Sequence, residues 1–116
     1  MVKRLMESGD TMSEFVTVAT VDQVPDDHGL AVPLGERMIA LFKHDGQYWA
    51  IDDLCPHMGA SLADGEVNDA VVTCPWHAWR FDVRDGTWCD NRKLKIDRFE
   101  VRVVGQDIQV REVKDE

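Results

Sequence analysis

Apolar and polar positions alternate in short runs along most of this chain, and turn residues interrupt the runs at the spacing of an antiparallel β protein. Reading from the amino terminus, the runs predict strands over Phe15 to Thr20, Leu30 to Leu34, Met38 to His44, Gln47 to Ile51 and Ala70 to Thr73. Further strands are predicted over Trp79 to Val83, Leu94 to Ile96, Phe99 to Val104 and Ile108 to Arg111. Asp45-Gly46 lies between two apolar runs and predicts a two-residue hairpin, because both central positions of such a turn take positive φ. Gly86 and Gly105 mark further turns. The one helical hint, DQVPDD at 22–27, is long enough for a single turn. The pattern predicts an all-β chain.

The first twelve residues show no period and read as a loose extension, in which Met12 is a second candidate start. The ordered domain is expected over 13–113. No repeat or low-complexity segment is visible. The chain has 116 residues, 44% hydrophobic and 30% charged, which is enough for one core without disulfide staples. No apolar run approaches the roughly 20 residues of a membrane span, and the amino terminus lacks the apolar core of a secretory signal. The reading is a cytoplasmic protein.

Charge narrows the partners. A net charge of -9 would be repelled by nucleic acid and by anionic membrane, so neither is expected as a partner. Between Lys43 and Arg80 there are six acidic residues, Asp45, Asp52, Asp53, Asp64, Glu66 and Asp69, and no lysine or arginine. This segment predicts an acidic face that docks a basic protein surface.

Two of the three cysteines and two of the four histidines fall in one stretch, CPHMGASLADGEVNDAVVTCPWH at 55–77, as Cys55-x-His57 and Cys74-x-x-His77. On the predicted strands both pairs lie in loops. Four such groups complete a four-ligand metal shell once the thiols are deprotonated and the imidazoles neutral. Zinc is one reading, although the single residue between Cys55 and His57 is short for a structural zinc pair. A 2Fe-2S core, wider than one ion and able to take one Cys and one His from each loop, fits better.

With its 16-residue spacer, Met58 to Thr73, the pattern CPHMG followed by CPWHAWRFD resembles the Rieske cluster motif. That resemblance implies one Rieske-type 2Fe-2S cluster per chain, with Cys55 and Cys74 on one iron and His57 and His77 on the outer iron. It also implies the Rieske fold, an antiparallel β-sandwich with a small cluster-binding lobe, made of two loops, inserted into it. Two thiolates in place of four leave the oxidised centre neutral rather than doubly negative, which eases the addition of an electron. Imidazole also titrates, so reduction can couple to proton uptake.

Around the motif, Gly59 and Gly65 are candidates to bring backbone N–H groups toward cluster sulfurs, or are ordinary turn glycines. Pro56 and Pro75 stiffen the loops. Met58, Trp76 and Trp79 would screen the cluster or simply pack a core. Respiratory relatives carry an extra cysteine in each loop, where this chain has Ala60 and Trp76, and hydroxyl donors where it has Trp79 and Phe81. The chain is therefore similar to the low-potential, ferredoxin-like branch, from which Ala78 departs by replacing a common glycine. Cys89 reads as a partly buried inert thiol. His28 and His44 read as solvated or structural.

No catalytic residue is expected in the chain itself. The resemblance implies a one-electron carrier that serves a flavin reductase and a terminal oxygenase. RDGTWCDN at 84–91 is also similar to the small subunit of NAD(P)H-dependent nitrite reductase, which would make the partner that enzyme's large subunit and give Cys89 a place in a family pattern. A zinc-binding interaction module is the reading from another class.

Overall fold

The computed structural model describes residues 15–54, 60–75 and 79–112. Among them are eleven strands: β1 (Val16–Thr20), β2 (Leu30–Leu34), β3 (Arg37–His44), β4 (Gln47–Asp52), β5 (Glu66–Asn68), β6 (Val71–Thr73), β7 (Arg80–Asp82), β8 (Thr87–Trp88), β9 (Asn91–Lys95), β10 (Arg98–Val104) and β11 (Asp107–Glu112). Two 3-10 turns, Val21–Gln23 and Leu62–Asp64, complete the inventory, and no described helix is long and apolar enough to cross a membrane.

Six strands form one antiparallel sheet in the order β1-β11-β10-β4-β3-β2. Asp45 and Gly46 join β3 to β4 with φ of 57° and 74°, the paired positive values that a two-residue hairpin needs. β3 reads MIALF at its centre, a continuous apolar run, because both of its faces are buried. Ile39 and Leu41 point into one core with Val32, Ala50, Phe99, Ile108 and Val110. Ala40 and Phe42, on the other face, pack with Ile51 beneath the rest of the molecule. Fully burying each of these larger side chains contributes about 1.5–3 kcal/mol. Arg37 then clasps the end of β4 to the chain entering β10, donating to Asp52 and Asp97 at 3.0 Å each, with its guanidinium 4.9 Å from the Phe99 ring centroid.

The other five strands form a second antiparallel sheet in the order β9-β8-β7-β6-β5. This sheet, with Ala60, Leu62, Ala63 and Cys74 from the bases of the two motif loops, makes a lobe that packs on the Ala40, Phe42 and Ile51 face of the larger sheet. The expected sandwich with an inserted lobe is present, and the lobe is itself a sheet rather than loops alone.

Several boundaries differ from expectation. The strand expected over 70–73 begins at Val71, because Asp69 and Ala70 form the β5–β6 turn with φ of 55° and 68°. The one expected over 79–83 shortens to Arg80–Asp82, and the one over 94–96 shifts to Asn91–Lys95. β5 and β8 were not anticipated. The turn expected at 22–27 is the 3-10 turn Val21–Gln23, closed by Thr20 N–H donating to the Gln23 side chain at 2.9 Å. The expected extension over 1–12 and both boundaries of 13–113 lie outside the described residues.

Candidate metal centre

Of the four residues expected as ligands, Cys74 is described, while Cys55, His57 and His77 lie outside the described residues, as do Pro56, Met58, Gly59, Trp76 and Ala78. What the structure shows is how each loop begins and ends. Among the described residues no three His, Cys, Asp or Glu side chains converge as a separate metal site.

The first loop leaves β4 and is closed at its neck by several contacts. Leu54 and Ser61 face each other in an isolated bridge, and Leu62 N–H donates to the Asp53 carbonyl at 2.6 Å. The Asp53 side chain is 4% exposed, and its Oδ1 accepts from Ser61 Oγ at 2.8 Å and from Ala63 N–H at 3.0 Å. Ala63 in turn accepts at its carbonyl from Gly29 N–H at 3.0 Å, which anchors the neck to the chain before β2.

The second loop leaves β6 and returns in β7. Thr73 pairs with Arg80, and Cys74 N–H donates to the Trp79 carbonyl at 2.7 Å, closing this neck as well. Cys74 is 1% exposed and packs with Ala60, Leu62, Ala63 and Phe81. The two necks are therefore neighbours in one apolar cluster. Gly65 sets their separation: a Cβ there would stand 2.1 Å from the Thr73 carbonyl oxygen, closer than any side chain tolerates. Its amide donates to the Leu62 carbonyl at 2.9 Å, so the expected use of this N–H toward cluster sulfur gives way to a local turn and a close approach.

Aromatic rings wall the second neck. Trp79 stacks on Trp88 with centroids 4.2 Å apart and planes 12° apart, and it tilts against the fully buried Phe81 at 6.4 Å. The positions where relatives supply hydroxyls thus hold packed rings. The Trp88 indole Nε1 is buried and has no hydrogen-bond partner among the described residues. Below them Asp82, held by Arg84 and also bonded by Arg92, has its carboxyl pKa lowered to about 2.

Cys89 sits half-buried in the β8–β9 turn as a free thiol, and its N–H donates to the Arg80 carbonyl at 2.9 Å. His28 is exposed and pairs with Asp27 at 2.8 Å, while the His44 carbonyl accepts from Trp49 Nε1 at 3.4 Å, as expected of solvated or structural residues. Of the six acids between Lys43 and Arg80, Asp53 is buried and Asp52 is paired with Arg37. Asp45, Asp64, Glu66 and Asp69 are exposed, but Asp45 lies at the far tip of the β3–β4 hairpin, about 17 Å along β3 from the loop necks. The sequence reading overlooked the roles of Asp53 and Ser61, because nothing in the local pattern distinguishes a buried carboxylate from its solvated neighbours.

A buried thiol at one neck, beside a second neck whose loop carries the Cys-x-His sequence, fits the donor set of an iron-sulfur cluster. A family model, the Rieske [2Fe-2S] domain, matches residues 14–100. The ferredoxin component of an alkene monooxygenase system from Xanthobacter autotrophicus is 33% identical over 93 residues, covering 79% of this chain and 76% of its own. A solved complex of reduced oxygenase and oxidised ferredoxin in carbazole 1,9a-dioxygenase contains a chain that aligns with a TM-score of 0.78 and 27% identity, over 88% of this chain and 97% of that one. The small subunit of an NADH-dependent nitrite reductase from Mycobacterium tuberculosis aligns equally well, with a TM-score of 0.78, 26% identity and coverage of 88% and 97%.

Proposed function

This chain belongs to the Rieske [2Fe-2S] domain family, and from that premise we propose that it shuttles single electrons from a flavin reductase to a terminal oxygenase, with Cys55, His57, Cys74 and His77 holding its cluster. The bound Rieske-type 2Fe-2S cluster supplies reversible one-electron chemistry. The rest is the work of the protein. The necks hold the bases of the two loops side by side in one apolar cluster, with Cys74 buried there and the Trp79–Trp88 stack packed against it. The observation that carries the reading is the joining of the two motif loops at adjacent necks, with Cys74 buried between them. The ferredoxin components among its relatives support an oxygenase system as the setting.

The purified protein is expected to carry about two irons and two acid-labile sulfides per chain. His57→Ala and His77→Ala should each lose the cluster, and Cys89→Ser should keep it. Zinc in place of iron after iron-replete anaerobic expression would contradict the proposal.

The exposed acids Asp64, Glu66 and Asp69 support docking of a basic partner surface. Stopped-flow electron transfer to the partner should slow as salt rises, since exposed charges are screened over about 10 Å at 0.1 M. A second-order rate indifferent to salt would refute electrostatic docking. A second reading, the small subunit of a nitrite reductase, is favoured by RDGTWCDN and by the nitrite reductase structure above. Co-purification with a large sirohaem subunit would establish it.

A further inference from the structure

Asp53 is unusual among the described carboxylates. It is 4% exposed, yet among the described residues no lysine, arginine or histidine pairs with it. Asp82, the other buried carboxylate, has two arginines. Burying a charge without a counter-ion is costly unless hydrogen bonds replace the lost water. Here both donors, Ser61 Oγ and Ala63 N–H, converge on Oδ1 across the neck of the first loop, and the Asp53 carbonyl takes Leu62 N–H as well. One residue therefore receives three bonds from the returning chain, two positions before Cys55.

We infer that Asp53 is a positioning residue for the cluster: its side chain locks the neck of the loop that carries Cys55 and His57. The inference rests on the cluster assignment above. Locking follows from the geometry, because Ser61, in the bridge to Leu54, and Ala63, in the 3-10 turn Leu62–Asp64, lose their shared acceptor together.

Substitution tests the lock: Asp53→Asn keeps an oxygen that accepts both bonds, whereas Asp53→Ala removes it. Iron release to a chelator, followed by visible absorbance, should be about 10-fold or more faster in Asp53→Ala than in the parent protein and close to parental in Asp53→Asn. Ser61→Ala, which deletes one donor, should lie between them. Ile108→Ala, in the other core, serves as a control that lowers the melting temperature without touching the neck. Parental release from Asp53→Ala, or release from Ile108→Ala as fast at matched stability, would overturn the positioning role. If Asp53→Ala does not fold, parental release from Ser61→Ala would do the same. If the parent protein holds no iron, the cluster assignment has failed instead, and that is visible before any variant is made.

Discussion

Asp82 shows how a single side chain ties its surroundings together. Its Oδ1 accepts from Arg84 N–H and Nε–H, both at 2.9 Å, and its Oδ2 accepts from Arg84 at 2.8 Å and Arg92 at 3.3 Å. The bond from the Arg84 side chain is the main reason its pKa falls from 3.8 to about 2, against the opposing effect of burial. A carboxyl with a depressed folded-state pKa contributes stability that is fully present above about pH 4 and is lost as pH falls toward about 2. Both arginines are more than half exposed, so solvent reduces the contribution to on the order of 1–2 kcal/mol. Urea unfolding of Asp82→Asn should show that deficit unchanged from pH 7 to about pH 4 and shrinking below. A deficit that closes between pH 7 and pH 5 would mean another group is responsible. Such roles were only partly legible. The motif displayed Cys74, but Asp53 differs from Asp52 in nothing the sequence reveals, since Ser61 and Ala63 decide it from across a loop. Gly65 was noticed for its amide, whereas its missing side chain is what matters.

The long strands were legible and the short ones were not, for one reason. β3, β4, β10 and β11 are six to eight residues each, long enough for alternation or a continuous apolar run to stand out. Their turns also carry the residues that positive φ favours, as Asp45-Gly46 does. β5, with three residues, and β8, with two, are too short to express a period, and they exist because β6 and β7 offer edges to pair with. The β5–β6 turn is hidden further by Ala70, a buried non-glycine residue at φ 68°. The spacing of Cys55, His57, Cys74 and His77 announced two loops on a β scaffold. It could not announce the necks, because those bonds join residues that sequence spacing alone does not pair.

For the molecule as a whole, the features that bear on electron affinity point the same way. The net charge is -9, and Trp79 and Phe81 place rings where high-potential relatives have hydroxyls. A hydrogen bond to cluster sulfur favours the reduced state, so each one missing lowers the potential. At about 1–2 kcal/mol of difference between redox states, each is worth roughly 40–85 mV. Two give about 80–170 mV, and the alanine at position 60 rules out the disulfide of the respiratory relatives, which should lower the potential further. Within a Rieske range of about -150 to +300 mV, this protein belongs near the bottom. Such a carrier accepts electrons from a reduced flavin and is a poor oxidant of quinols. The most direct test is a potentiometric titration of the purified protein at pH 7, followed by visible absorbance. The account predicts one reversible one-electron step at about -150 to -50 mV. A midpoint above about +100 mV, or no reversible step at all, would contradict it.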